Sequence, residues 1–502
     1  MTIATATPAT PCTEYIALKP GVQKVRDFIS GGTYIRPYVK RLRGHSDEDY
    51  ALFQSLAYYL PAVARTLDAY AGMVMTPEPV VSDAPTSLQP FLDDLTNEGE
   101  PFQRVTFRTV EEVCATGRYC ILVDYPTVEG AAEKSRLDAE REGLRPFARC
   151  YKWEDVLDWR TTVRNGRRVL SHLRLQEWVD VPGDTEWVTK QRRQVRVLDL
   201  NEGRYRVRVF REEQKLDKGP SGAMPDQTPA MVQVGDDIFP TMNTKAMDMI
   251  PAIIFGPNSL DPNIIEKPPL LEMCEIAESH LNDSAHRQWA LMWCGNPQPW
   301  IAGLMADEEG DAPIKWGSST AIILGAEGSM GLVTMPGEGI GAIKDSMEEK
   351  RRDMAATGAR ILADESGAQI STETARIQRA GEHSVLAGIA NTVADGMTQV
   401  LRIMAEWAGI SGADKVAVTL NTDFLPRGLQ PGELAEWLAG LQNGSIPLSV
   451  VIEHLKSRGV IDPQMTEQDW VDGIDESMMP PPPPPPPAND QNGNNQQQQG
   501  TA

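Results

Sequence analysis

An α+β fold is predicted by a change of hydrophobic period along this chain. Asp47–Val74, Lys267–Cys294, Gly337–Ala363 and Ser371–Trp407 carry apolar residues three and four apart, the spacing of one helix face. Residues 168–211 alternate every second residue instead, the spacing of a strand with one buried face. Gly295–Pro336 lies between two of the long helical stretches. It is rich in Gly and Pro with short apolar runs, so a small β insert interrupts a helical pair.

The elements follow in order. Met1–Arg43 is mixed and punctuated by Pro and Gly. In Asp47–Val74, the residues Leu52, Leu56, Leu60, Val63, Leu67 and Val74 recur at helical spacing, and Pro61 should kink or split the helix. Thr76-Pro77-Glu78-Pro79 ends it. Leu88–Leu95 and Pro101–Thr116 read as helices. Gly117 then turns the chain into a short buried strand, Tyr119–Asp124, and Gly130–Gly143 reads as a short exposed helix. Val169, Ser171, Leu173 and Leu175 fit one strand of an antiparallel meander. Asn201-Glu202-Gly203 marks a hairpin within it. Glu212–Asn243 reads as loop.

Three long helices come next. Leu270, Met273, Ala277, Leu281, Ala285, Trp289 and Met292 stripe the first, and Ile340, Met347, Met354 and Ile361 the second. In the third, Leu386, Ala390, Val393, Met397, Val400, Met404 and Trp407 step alternately by four and three, an a/d seam. Helix-packing core is the plain reading of all three stripes. Short helices are expected at Pro431–Leu441, Ser449–Ser457 and Thr466–Gly473. The proline run 480–487 and the Asn/Gln-rich residues after it cannot bury a core, so residues 477–502 are expected to be a disordered tail.

Composition narrows the function. At 502 residues the chain is long enough for about three domains. Its net charge of −22 argues against non-specific adhesion to nucleic acid. None of the six cysteines forms a C-x-x-C pair, so neither a zinc site nor a disulfide framework is expected. Met1–Thr13 lacks the basic and apolar regions of a signal peptide, and no run of about 18 apolar residues offers a membrane span.

Catalytic motifs are missing. No G-x-x-x-x-G-K-[ST], H-E-x-x-H or G-x-S-x-G occurs. Gly337-Glu338-Gly339-Ile340-Gly341-Ala342 matches a dinucleotide fingerprint after a plausible strand, Gly331–Met335. Pro336 interrupts the turn, Glu338 would repel a pyrophosphate, and no second βα unit follows. A glycine-rich hinge at a helix start is the competing reading. His280 and His286, six apart, face different ways on a helix.

Charge is uneven. Arg160–Arg211 holds 13 Lys and Arg against 6 Asp and Glu, which leaves about −29 for the rest. A basic meander of this kind could contact phosphates, with Arg192, Arg193, Arg204, Arg206 and Arg208 as candidates. The bland alternative is that these arginines decorate a solvent face. Trp178 and Trp187 read as sheet core rather than base-stacking platforms.

Four stretches carry a resemblance. They are Tyr59–Val81, with Arg65-Thr66-Leu67-Asp68-Ala69-Tyr70-Ala71-Gly72-Met73-Val74; Gly117-Arg118-Tyr119-Cys120-Ile121-Leu122-Val123-Asp124-Tyr125-Pro126; Pro269–His280 leading to Pro297–Gly303; and Gly358–Leu362 with Thr372–Ala375 and Ser384–Ala390. In this order they resemble tailed-bacteriophage portal proteins, most closely an uncharacterised portal-like branch.

The resemblance implies a portal-type subunit with a β-rich wing, helical stem and small clip insert, assembling as a ring of about twelve copies, a dodecamer, at one capsid vertex. It implies a wing at 1–266 containing the meander at 160–211, stem helices at 267–294 and 337–363, and a clip at 295–336. It further implies a tunnel loop at 364–370, a long helix and strand at 371–425 and a crown at 426–476. Asp364, Glu365, Ser366, Gly367 and Gln369 would face DNA from the tunnel loop. The implied partners are double-stranded DNA, terminase, major capsid and scaffolding proteins and a neck adaptor. The implied location is the virion, with host cytoplasm during assembly. No enzyme activity, cofactor, metal or membrane is expected. The alternatives are a nucleotide-binding enzyme using 337–342 and another head or neck structural protein.

Overall fold

A computed structural model of the chain describes residues 7–126, 144–164, 166–182, 185, 187–214, 229–242, 245–296, 298–304, 324–333, 337–358, 372–422, 424, 437, 439–441, 443 and 445–457. The fold is α+β. The chain divides into two units, Met1–Phe424 and Leu425–Ala502.

The first unit begins with helix α1 (Thr13–Ser30), which the sequence reading missed. Pro20 and Gly21 disguised it. Gly21 eases the crossing of α1 with a later helix, because a Cβ there would sit 3.2 Å from the Leu271 side chain. Helices α2 (Asp47–Leu56) and α3 (Ala62–Val74) flank the break at Pro61, as expected. Ser46 caps α2: its Oγ accepts from Asp49 N at 3.1 Å while the Asp49 carboxylate accepts from Ser46 N, a reciprocal capping box. Strand β1 (Val80–Ser82), a short helix α4 (Gln89–Asp93) and α5 (Phe102–Thr116) follow. Gly117 ends α5 in the left-handed conformation and leads into β2 (Tyr119–Asp124).

Strands β3 (Phe147–Lys152), β4 (Val156–Arg164), β5 (Arg167–Pro182), β6 (Thr189–Asn201), β7 (Arg204–Gln214) and β8 (Pro229–Gln233) come next. The last five form one antiparallel sheet in sequence order. Glu202 and Gly203, both at positive φ, make the two-residue turn between Asn201 and Arg204, as the hairpin signal predicted. The expected loop after Glu212 is corrected in part, because β7 continues to Gln214 and β8 adds a fifth strand.

After β9 (Thr241–Met242) and β10 (Lys245–Ala246), β11 (Ala252–Phe255) pairs with β2, giving a second sheet of order β11-β2-β3. Helix α6 (Leu271–Gly295), strands β12 (Gln298–Leu304) and β13 (Leu324–Val333), helix α7 (Glu338–Ala356), helix α8 (Thr372–Trp407) and strand β14 (Ala417–Thr419) complete the unit. In the second unit the described helix is α9 (Leu448–Ser457), close to the expected patch at 449–457.

The small sheet is the middle layer. Cys120, Leu122 and Ile254 pack with Leu173, Leu175, Leu198, Tyr205 and Val207 of the large sheet. Tyr119, Ile121, Val123 and Phe255 join the helical core instead. The period of two in β2 therefore serves two layers at once. Helix α8 supplies the helical side. Its predicted seam is buried at Leu386, Ala390, Val393, Met397, Val400 and Met404, and Ile389, Ala394 and Leu401 are buried beside it. The apolar face is broader than an a/d stripe because α8 is a core helix, packed on α5 and the small sheet.

Charged groups also lock the layers. Glu177 on β5 accepts from Tyr151 Oη at 2.6 Å, Gln194 Nε2 at 2.8 Å and Arg196 Nε at 3.1 Å. Its pKa is lowered: burial opposes the charge, but Arg196 and the hydrogen bonds outweigh it. Arg26 on α1 likewise bridges Glu112 on α5 and Glu154, tying three segments through one guanidinium.

Candidate functional site

Three places were singled out by the sequence: the helical pair with its β insert, the arginine-rich sheet and the loop near 364–370. The loop residues Asp364, Glu365, Ser366, Gly367 and Gln369 lie outside the described residues. So do the helix expected at 130–143, most of 426–476 and the tail at 477–502.

The helical pair is an arm. In α6 the buried residues are Met273, Cys274, Ala277, His280, Leu281, Ser284 and Ala285, all in its first fifteen positions. In α7 only Met354 is buried. The C-terminal half of α6 and most of α7 thus leave the core together. Asp283 on α6 meets Ser346 and Lys350 on α7. Gly337 lies beside Cys294, since a Cβ there would be 3.9 Å from its Sγ. The two helices are therefore antiparallel. At the root, Trp289 packs against Phe53 and His45, with ring centroids 5.8 and 5.0 Å apart.

The arm ends in the hairpin of β12 and β13, antiparallel from Gln298↔Val333 to Ala302↔Ser329. The indole of Trp300 lies over Gly331. A Cβ at Gly331 would be 2.8 Å from Trp300 Nε1, so any larger residue there would push the indole aside. Towards this end the arm exposes Leu291, Trp293, Trp300, Met330, Leu332 and Val333, with Leu332 at 56% exposure. They are spread over α6 and both faces of the hairpin: by strand alternation Met330 and Leu332 share one face, and Trp300 and Val333 the other.

The dinucleotide reading of 337–342 finds no support in this geometry. The neighbour of β13 is β12, antiparallel, whereas the fingerprint requires a parallel βαβ unit. Gly339 and Gly341 have open space around them. No group of three or more His, Cys, Asp or Glu suited to a metal occurs among the described residues. Burial pushes the Cys114 and Cys274 thiols up to about 12, which makes them inert at neutral pH.

The arginine-rich sheet is mostly self-neutralised. Arg206 donates to Asp199 at 2.8 Å and to Asp237 at 3.0 Å, and Arg208 donates to the same Asp199 at 2.5 Å. Arg193 is held by Gln176 Oε1 at 2.7 Å. Arg196 reaches Asp124, Arg168 reaches Asp261 and Arg174 reaches Asp158. Four of those five acids lie outside 160–211, which a segment count of charge cannot register. Of the five candidates, Arg192 and Arg204 are exposed and carry no ion pair among the described residues. They sit on opposite faces of the sheet by strand alternation, so the five do not form one patch. Trp178 and Trp187 are corrected outright: they are 57% and 86% exposed, Trp178 on a two-stranded ribbon where β5 and β6 outrun their neighbours and Trp187 in the connection between those strands.

Comparison with known proteins adds one family match. Residues 269–408 match the model of a domain of unknown function, DUF4055. The match covers α6, the β12–β13 hairpin, α7 and α8. No curated protein matches. Among solved structures, the neck of an empty gene transfer agent (GTA) particle computed with C6 symmetry is similar at 13% identity and TM-score 0.36, over 86% of this chain and 98% of that one. The neck of the native GTA particle computed with C12 symmetry is similar at 11% identity and TM-score 0.37, over 81% and 92%. The virion of the native GTA particle gives 13% identity and TM-score 0.33, over 84% and 92%. At these TM-scores the likeness carries no argument about fold or function.

Proposed function

We propose that this chain is a structural component of a phage-like particle and, more specifically, a portal subunit. Copies would form a closed ring around a channel for double-stranded DNA at one capsid vertex. Terminase would dock during packaging and a neck adaptor afterwards. The observation that carries this reading is the arm: two antiparallel helices leave the core and end in a β hairpin with exposed large apolar residues. An isolated two-stranded hairpin with such a surface is marginal in water and gains stability from neighbours. The third and fourth sequence stretches that resemble portals fall on α6 with β12 and on the start of the long core helix, in that order.

Charge supports a conduit. With most sheet arginines paired internally, the surplus acid of a chain at −22 would repel a phosphate backbone and lower adhesion during DNA movement. No catalytic role is assigned to any residue.

The test is to delete Ala302–Ser329, from one residue of that hairpin pair to the other, in a phage genome that encodes this chain. The reading expects folded subunits and particles without DNA. DNA-filled particles at normal yield would overturn the docking role.

A further inference from the structure

We propose that the wall between the N-terminal segment and the large sheet is a binding site for a small phosphate-bearing ligand. A cavity of about 630 Å³ opens there, lined among others by Trp159, Arg160, His172, Arg174, Arg208 and Phe210. That volume falls within the range of small-molecule sites.

The lining offers guanidinium donors beside an aromatic flank, and each of its arginines already meets an acid: Asp158 for Arg160 and Arg174, Asp199 for Arg208. The lining carboxylates are Glu14 and Asp158, against three arginines. Asp158 is 3% exposed and is already engaged: Arg174 donates to its Oδ2 from Nε at 3.1 Å and from Nη2 at 2.8 Å, and Arg160 Nη2 lies 3.3 Å away. His172 Nε2 is 3.6 Å from the same oxygen. One carboxylate oxygen therefore faces two guanidiniums and an imidazole. Arg174 is fixed further by the strap above it, donating to the carbonyls of Thr7 and Pro8 at 3.2 and 3.0 Å.

Two buried donors nearby lack acceptors. Arg208 gives Nη2 to Asp199, but its Nε is buried and unpartnered. Behind Trp159, Arg118 stacks with its guanidinium carbon 4.0 Å from the ring centroid. Arg118 is 5% exposed, bonds the Pro262 carbonyl, has no carboxylate partner among the described residues and leaves Nη1 unpaired. A buried cation without a counter-charge is costly. Arg118 stands outside the cavity lining with the Trp159 ring against it, and α1 begins at the cavity rim with no side-chain cap on its first amides. Arginines recognise phosphate through paired N–H donors, and Trp159 and Phe210 offer apolar surface to an organic group.

The site stands apart from the arm and from the ring reading, and it is tested separately. The full chain is titrated calorimetrically with inorganic phosphate, AMP and acetate, alongside Arg160→Gln, Arg208→Gln and Arg192→Gln. Saturable binding of phosphate or AMP is expected, at least about tenfold weaker in Arg160→Gln and Arg208→Gln and unchanged in Arg192→Gln. Tighter AMP identifies an organic phosphate as the ligand, and equal affinities identify free phosphate. Absence of saturable binding up to millimolar probe, equal binding of acetate, or equal affinity in all three variants would overturn the proposal. Arg160 has an exposed side chain, so Arg160→Gln keeps the test valid if Arg208→Gln does not fold.

Discussion

Ser346 of α7 donates a hydrogen bond to Asp283 of α6 at 2.8 Å, and Lys350, one turn further along, bonds the same carboxylate oxygen. These contacts lie where the two helices leave the core. Beyond Ala285 on α6 and before Met354 on α7 no residue is buried, so the direction of the arm depends on this junction and on the Trp289 cluster.

Removing the acceptor should loosen the junction. Asp283→Ala leaves the Ser346 hydroxyl and the Lys350 ammonium without their partner, a loss of about 1–2 kcal/mol for charge-assisted bonds that are partly exposed. Ser346→Ala should cost less. Urea unfolding of the three proteins measures this, and an unchanged midpoint in Asp283→Ala would show that the arm does not lean on the contact.

Two helical glycines should respond in opposite directions. A Cβ at Gly396 of α8 would lie 2.2 Å from Phe255 Cε1, so Gly396→Ala forces a core ring to move and should destabilise by about 1–3 kcal/mol. Gly341 of α7 has open space around it, so Gly341→Ala should stabilise by up to about 1 kcal/mol through helix propensity. Thermal melts of both variants decide the matter. Loss of stability in Gly341→Ala would mean that the glycine-rich start of α7 has a constraint the geometry does not display.

Acid should weaken the fold through His280. It is 3% exposed, and burial, followed by the nearby Arg351, pushes its pKa from 6.5 down to about 4. The folded state therefore binds fewer protons than the unfolded chain between those values. The contribution of neutral His280 is fully present above about pH 6.5 and is lost as pH falls towards about 4. His172 is shifted the same way by burial. The urea midpoint of His280→Gln should fall less steeply than that of the parent chain over this window. Parallel curves would remove His280 from the acid response.

Much of the fold was legible in the sequence because burial follows period. The stripes of α6 and α8 and the alternation of β5 to β7 each pointed to the face that is buried, and Pro61 and Asn201-Glu202-Gly203 marked real breaks. Helix α1 was hidden because Pro20 and Gly21 signal a break locally, while packing against Leu271 rewards a small residue there. Trp178 and Trp187 were misplaced because strand alternation cannot reveal where neighbouring strands stop. The basic patch dissolved because Asp124, Asp158, Asp237 and Asp261, distant in sequence, return to pair with the arginines.

The exposed end of the arm should drive assembly. Leu332→Asp places a charge beside the exposed Met330 on a residue that is 56% exposed, so the subunit should fold with little loss of stability yet fail to associate. Circular dichroism and size-exclusion chromatography would separate the two effects. Wild-type assembly by this variant would move the interface elsewhere.

The central claim is a closed ring, and electron microscopy of the purified full chain with mass photometry on the same sample tests it most directly. The account predicts ring-shaped particles with a central hole and masses that are a fixed multiple of the 55.3 kDa chain. A monodisperse 55.3 kDa species at every salt and protein concentration, with no rings on the grid, would contradict it.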